Sequence, residues 1–304
     1  MLIDTHAHLE AIDDLESSLK RAKEAGVGKI ITSGTSLDSS SKAIEIASTS
    51  LKLRGARENI PEIYATGGIH PREGKDDVKN AGSLHQCINT LKQIASTSDK
   101  VVGVGEAGLD YRLTNNPSTS SGQARQLTTD EEKNFQRELF KAQINLAVEL
   151  NLPLVIHCRN GWKEIFDLLS NVKGQLPVRR SLGEGRSNVA GVFHSWTGDW
   201  RAAKKALDLG FYISFSGIVT FKNAPQVQEV AQKTPLERIM VETDSPFLTP
   251  EPLRSTSPRL RGASEQNEPK NVKITANFLA SLRDQPSEVV AEATTRNAKE
   301  LFGL

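Results

Sequence analysis

Leu2-Ile3-Asp4-Thr5-His6-Ala7-His8 opens the chain, and the way this stretch is read decides the fold. Its apolar start predicts an extended strand. Side chains alternate between faces in a strand, so His6 and His8 fall on one side, one pleat apart. Two imidazoles on one face at a strand end are able to share a metal ion. A lone His-x-His is more simply a polar strand terminus, so the reading depends on what the other strands carry.

Further apolar runs at 29–34, 63–69, 101–105, 152–156, 189–193, 211–215 and 239–243 predict seven more strands. Helical spacing fills the intervals, at 13–25, 39–51, 83–97, 130–150, 162–169, 200–209 and 227–231. In the longest of these, Phe135, Leu139, Ala142, Leu146 and Leu150 form one stripe. The tail from 271 to 301 predicts two more helices, split at Pro286. Near-continuous apolar strands alternating with helices mark a parallel sheet covered on its outer side. Eight such units predict an α/β fold, a single (β/α)8 TIM barrel with extra C-terminal helices. An open doubly wound sheet is the alternative. No Gly-x-Gly-x-x-Gly follows the first strand, however, and Val102-Gly103-Val104-Gly105 comes too late and lacks the third glycine.

At 304 residues the chain accommodates one such barrel as a single domain spanning 1–304. Charged residues make up 25% and nearly cancel to a net +1, so any contact with DNA must be local. Cys87 and Cys158 are too few for a disulfide framework, and neither has a second cysteine at zinc-finger spacing. No apolar run reaches the ~18 residues of a membrane span, and no basic region precedes an apolar one at the N-terminus. These features lead to the expectation of a soluble, cytoplasmic protein with no membrane partner.

Five strands end in a residue able to bind metal: His6 and His8 on the first, Glu106 on the fourth, His157 on the fifth, His194 on the sixth and Asp244 on the eighth. In a barrel the C-terminal strand ends converge on one face, where active sites sit. Singly, each residue has a dull explanation as a hydrogen-bonded terminus or a helix cap. Four imidazoles and two carboxylates exceed the needs of one zinc ion. They suit two divalent ions, with His6, His8, Asp244 and Glu106 on one and Glu106, His157 and His194 on the other. Glu106 then bridges. Two ions ~3.5–4 Å apart can hold a hydroxide and stabilise the entering and leaving oxygens of a displacement at phosphorus. Mixed nitrogen and oxygen donors leave Mg, Mn and Zn all open.

The motifs Asp-x-His-x-His at 4–8, Gly-Ile-His-Pro at 68–71 and Gly-Glu-Ala-Gly-Leu-Asp-Tyr at 105–111 resemble those of the TatD-type metal-dependent deoxyribonucleases of the amidohydrolase superfamily. So do Ile-His-Cys-Arg at 156–159, His-Ser-Trp-Thr-Gly at 194–198, Gly-Phe-Tyr-Ile-Ser-Phe-Ser-Gly at 210–217 and Glu-Thr-Asp-Ser-Pro-Phe-Leu at 242–248. The match runs in order from residue 3 to Asn297. The resemblance implies a TIM barrel, divalent metals, and hydrolysis of DNA phosphodiesters with 3′→5′ exonuclease action. It maps metal ligation onto the same six residues. Many amidohydrolases bridge their metals with a carboxylated lysine; no lysine ends a strand at the corresponding place here, and Glu106 takes that role in the TatD-like pattern.

Asp244 is the candidate to orient and deprotonate the attacking water, with Glu106 as the other catalytic candidate. His70, ending the third strand, faces the same opening and is a candidate contact for the scissile phosphate. Arg159 is a candidate phosphate clamp through its planar fork. Tyr111, expected on the mouth loop with Asp110 and Arg112, is a candidate to stack a base. Glu242 shares Asp244's side and is read as support behind the ligands. Cys158 reads as buried packing. Three stretches, 115–128, 175–188 and 253–268, look inserted: they are rich in Ser, Gly, Arg and Gln and too poor in apolar residues to pack. They are expected to be mobile surface loops; the first and third follow strands on the catalytic face, where their arginines are able to gather a DNA backbone, but the second precedes strand six on the far face, so neutral surface insertion is the leading reading. The competing functions are hydrolysis of a small amide, lactone or phosphoester by the same machinery, and a barrel that binds without turnover. The latter predicts damaged ligand positions, and none of the six is missing.

Overall fold

Eight parallel strands lie side by side in chain order in a computed structural model that describes residues 1–49, 59–111, 114–115, 125–126, 128–172, 191–254 and 266–304. They are β1 (Leu2–Ala7), β2 (Val27–Ser33), β3 (Glu62–Gly67), β4 (Val101–Asp110), β5 (Leu154–Arg159), β6 (Gly191–Phe193), β7 (Tyr212–Phe215) and β8 (Ile239–Val241). The sheet curls until its first and last strands meet. Asp244 N donates to His6 O at 2.9 Å, and His8 N donates to Ser245 O at 2.7 Å. The Asp4 carboxyl joins the same seam, accepting from Thr243 N at 2.9 Å and from Thr243 Oγ1 at 2.6 Å. Burial pushes Asp4 up to about 8 against these donors. The result is the (β/α)8 TIM barrel that the alternation predicts.

Helices α1 (Leu15–Glu24), α2 (Leu37–Thr49), α3 (Gly74–Ala81), α4 (Leu84–Ala95), α5 (Asp130–Leu150), α6 (Trp162–Asn171), α7 (Trp200–Asp208), α8 (Pro225–Lys233), α9 (Val272–Leu282) and α10 (Ser287–Phe302) accompany the strands. Local chemistry sets their ends. Thr129 and Glu132 form a reciprocal capping box on α5, and Asn151 closes it in the left-handed region at φ 53°. The predicted apolar stripe of α5 is only part of its buried face. Gln136 and Gln143 are buried as well, because each amide clamps a strand's backbone. Gln136 pairs with Asp110 N and O at 2.9 and 3.2 Å, and Gln143 with Ile69 N and O at 2.8 and 2.9 Å.

The barrel interior is layered. One side chain from each strand makes the lower layer: Ile3, Ile31, Tyr64, Val102, Val155, Val192, Tyr212 and Met240, packed on Ala298, Leu301 and Phe302 of α10. Two residues further along four of these strands come Thr5, Ser33, Thr66 and Ser214. Thr66 Oγ1 donates to Ser33 Oγ at 3.0 Å, and Thr5 Oγ1 lies 3.3 Å from Ser214 Oγ. Hydroxyls satisfy one another here, so a polar layer is buried without orphaned groups. Above it sit the ionisable residues.

Most of the three stretches expected as insertions lies outside the described residues. At the start of the first, Thr114–Asn115 pairs antiparallel with Arg125–Gln126. The third ends earlier than expected. Asn267 is fully buried, donating to Thr243 O at 2.9 Å, and Glu268 takes a two-pronged bond from Arg21 at 2.8 Å. These two residues are part of the framework because both have partners on other elements.

Candidate metal centre

The six expected donors converge at the C-terminal end of the barrel. Glu106 is at the centre and divides them. Its Oε2 faces His6 Nε2 at 3.5 Å and His8 Nε2 at 3.7 Å, while its Oε1 faces His157 Nδ1 at 2.7 Å and His194 Nε2 at 2.9 Å. Asp244 Oδ1 lies 3.3 Å from His8 Nε2 and 3.6 Å from His6 Nε2. Irregular strands aim these groups. Register shifts in β1 between Asp4 and Ala7, and in β4 between Val104 and Ala107, bracket His6 and Glu106. β4 also runs on to Asp110, past the predicted end at 105, because glycines let it press on β5. A Cβ on Gly105 or Gly108, both at φ 152°, would meet the carbonyl oxygens of Val155 and His157 at 2.4 and 1.9 Å.

Each of the four imidazoles has a polar group behind it. Ser33 O, which only accepts, is 2.9 Å from His8 Nδ1, so that nitrogen carries the proton and Nε2 presents a lone pair. Ser33 Oγ is 3.1 Å from His6 Nδ1. Glu242 Oε1 stands 3.3 Å from His194 Nδ1, and Asp110 Oδ2 stands 3.5 Å from His157 Nε2. Glu242 Oε1 also accepts from Ser195 N at 2.8 Å. Ring nitrogens therefore face one another, His6 Nε2 to His8 Nε2 at 3.3 Å and His157 Nδ1 to His194 Nε2 at 3.2 Å. Donor atoms within 4.8 Å of one another group as His6–His8–Glu106, His6–His194–Asp244 and His70–Glu106–His157, so His70 joins the six expected donors in a set that fits borderline and hard divalent cations.

The electrostatics favour the charged carboxylates. Burial alone would raise Glu106, but the charge on His194 and the bonds from His157 and His194 hold it well below the usual range. Burial likewise opposes ionisation of Asp244, and is outweighed by the His8 bond and the neighbouring imidazoles. His194 is pulled the other way: burial disfavours its charged form, yet Glu106 and Glu242 raise it well above the usual imidazole value. His70 is pushed down to about 3 by burial.

A cavity of about 880 Å³ opens over this cluster. Six described non-glycine residues have positive φ, and Asn160, Ser195, Asp244 and Leu248 of these line it. Backbone strain is thus concentrated at the site. His70 lines the cavity with Nε2 3.7 Å from Glu106 Oε1, and its Nδ1 accepts from Arg72 N at 3.2 Å, which leaves the proton on Nε2. Arg159 lies exposed at the rim. Cys158 is buried in the wall, its thiol pushed up by desolvation. Tyr111 departs from expectation. It is 9% exposed, packed within the main core and absent from the cavity wall, because strand pairing extends to Asp110 and draws the next residue inward. The ring is therefore unavailable to a base. Arg112 lies outside the described residues. Sequence reasoning also missed Ser33, Asp110 as His157's partner, and Phe247. For Phe247 the signal was present, an aromatic three residues past the candidate ligand Asp244.

Residues 3–303 match the family described as TatD related DNase. A Bacillus subtilis protein described as metal-dependent hydrolase YabD is 35% identical, with 100% of each chain covered. A Citrobacter rodentium protein named 3′-5′ ssDNA/RNA exonuclease TatD is 28% identical over 96% of this chain and 93% of its own. Among solved structures, YjjV, a TatD homologue of Escherichia coli K12, superposes with a TM-score of 0.76 at 27% identity, covering 100% of this chain and 98% of that one. Organophosphorus hydrolase from Deinococcus radiodurans shares the fold, with a TM-score of 0.60 at 12% identity over 99% of this chain and 92% of that one.

Proposed function

The chain belongs to the TatD related DNase family of metal-dependent hydrolases, and from that premise we propose that it removes nucleotides from the 3′ end of DNA with two divalent ions. One observation carries the two-ion reading: the oxygens of Glu106 face separate imidazole pairs, His6 with His8 and His157 with His194. A carboxylate so placed would bridge two ions. His6, His8 and Asp244 would hold one ion, and His157 and His194 the other. The relative named as an exonuclease supports the choice of polynucleotide. Divalent ions in this setting neutralise charge on a phosphoryl group and lower the pKa of water.

The chain's own groups do the rest. Asp244 stays ionised beside His8 and keeps part of its side chain open to the cavity, so it orients the attacking water and takes its proton. His70, neutral and protonated on Nε2, donates to a non-bridging phosphate oxygen. Arg159 at the rim clamps the same or the next phosphate through its fork.

The test is product analysis. Metal-depleted protein is given Mg, Mn or Zn in turn with a 3′-labelled single-stranded oligonucleotide. Labelled mononucleotide should appear only with metal, and Glu106→Ala should abolish it while leaving the melting curve intact. Hydrolysis of a small phosphodiester such as bis(p-nitrophenyl) phosphate without nucleotide release would instead place the chain among small-ester hydrolases.

A further inference from the structure

Phe247 is 55% exposed, and among the described large apolar residues that are exposed it is the one lining the cavity. Its backbone is held on both sides. Phe247 N donates to Asp244 O at 2.8 Å, and Phe247 O accepts from Asn267 Nδ2. Asn267 is fully buried and ties the same amide to Thr243 O at 2.9 Å. Leu248, the next residue, sits in the left-handed region at φ 52°. An apolar ring presented to water from so fixed a backbone is poised to receive a flat partner. The ring centroid lies 5.7 Å from that of His8 with 63° between planes, so a group resting on its open face is beside the ligating cluster. The charge needed for a phosphate, on Arg159 and Arg72, lies in the same cavity.

We propose that Phe247 is the stacking platform for the base of the nucleotide whose phosphodiester is cut. The inference rests on the polynucleotide reading above. It moves the aromatic role from Tyr111, which is buried, to a ring that is open. Stacking uses only the π-face of a base, so the platform tolerates all four bases and discriminates against a terminus with none.

Two single-stranded oligonucleotides test it, one ending in an ordinary 3′ nucleotide and one ending in an abasic residue. The metal-loaded wild-type protein should cleave the first with a kcat/KM about tenfold higher, the amount one stacked base supplies. Phe247→Ala should raise KM for the base-bearing oligonucleotide to the abasic value, and Phe247→Trp should restore the preference. A 3′-terminal 2-aminopurine behind a slowly cleaved phosphorothioate gives an independent reading: its fluorescence should be quenched by wild type and not by Phe247→Ala. Equal cleavage of both oligonucleotides by wild type, or unchanged quenching in the alanine variant, overturns the platform and leaves the exonuclease reading standing. If neither oligonucleotide is cut while bis(p-nitrophenyl) phosphate is, the polynucleotide reading fails and takes the platform with it.

Discussion

His194 and His157 each have a buried carboxylate on the nitrogen facing away from Glu106, Glu242 in one case and Asp110 in the other. A carboxylate in that place orients the ring, fixes the tautomer and raises the basicity of the opposite nitrogen. His6 makes do with the hydroxyl of Ser33, and His8 with the Ser33 carbonyl and a more distant carboxylate, Glu10 Oε1 at 3.8 Å from its Nδ1. The His157–His194 half of the cluster therefore has a carboxylate behind each ring, whereas in the His6–His8 half only His8 has one, farther away. Glu242→Gln and Asp110→Asn keep shape and volume but remove that charge. Each should weaken metal binding about 10- to 100-fold, read by competing the metal-free protein against a chromogenic chelator. Circular dichroism should not change. Unaltered affinity would mean that the two carboxylates serve packing alone.

Strands and helices with strong periodicity were legible from the sequence, and so was the convergence of the candidate donors that terminate those strands. His157 and His194 follow Val155 and Val192 by the two-residue alternation, so knowing the strand is knowing the ligand's side. What escaped were features that break a period or cross between elements. The end of β4 was misplaced because three glycines and a register shift hide a strand that continues to Asp110, and Tyr111 moved into the core as a result. Gln136 and Gln143 are polar, yet both are buried and clamp backbone on other elements, at the end of β4 and just past β3. A similar cross-element group lies at the N-terminal ends of the strands. Glu62 at the start of β3 accepts from Lys29 of β2, from Lys100 just before β4 at 2.8 Å, and from Tyr64 Oη at 2.7 Å, with both ammonium groups over the Tyr64 ring. Burial would raise the Glu62 pKa, but the three bonds bring it down to about 2 from 4.5. A depressed acid contributes stability above its unfolded pKa and loses it as pH falls toward the folded one. Glu62→Gln should thus cost under about 1 kcal/mol at pH 7, since the group is part exposed and screened. Urea midpoints should show that deficit intact at pH 6 and shrinking below about 4.5 toward 2. A deficit that grows on acidification would contradict the assignment.

Over the whole molecule, the barrel interior is graded from apolar at one end to ionisable at the other. The lower layer and α10 exclude water from beneath, the hydroxyl layer carries the transition, and seven metal-capable side chains occupy the open end among the described residues. This order separates stability from chemistry, as it does in barrels whose strand C-termini carry the active site. Phe302 marks the stable end. It is 1% exposed, belongs to the last turn of α10, and closes the layer formed by one residue from each strand. Phe302→Ala opens a cavity there and should cost about 3–5 kcal/mol, seen as a lower denaturant midpoint and melting temperature. At temperatures where the variant is still folded, its metal affinity and its kcat should match wild type, because two layers of side chains lie between the lost ring and Glu106. Normal stability with weakened metal binding in this variant would show that the two ends of the barrel are coupled and that the layers do not act separately.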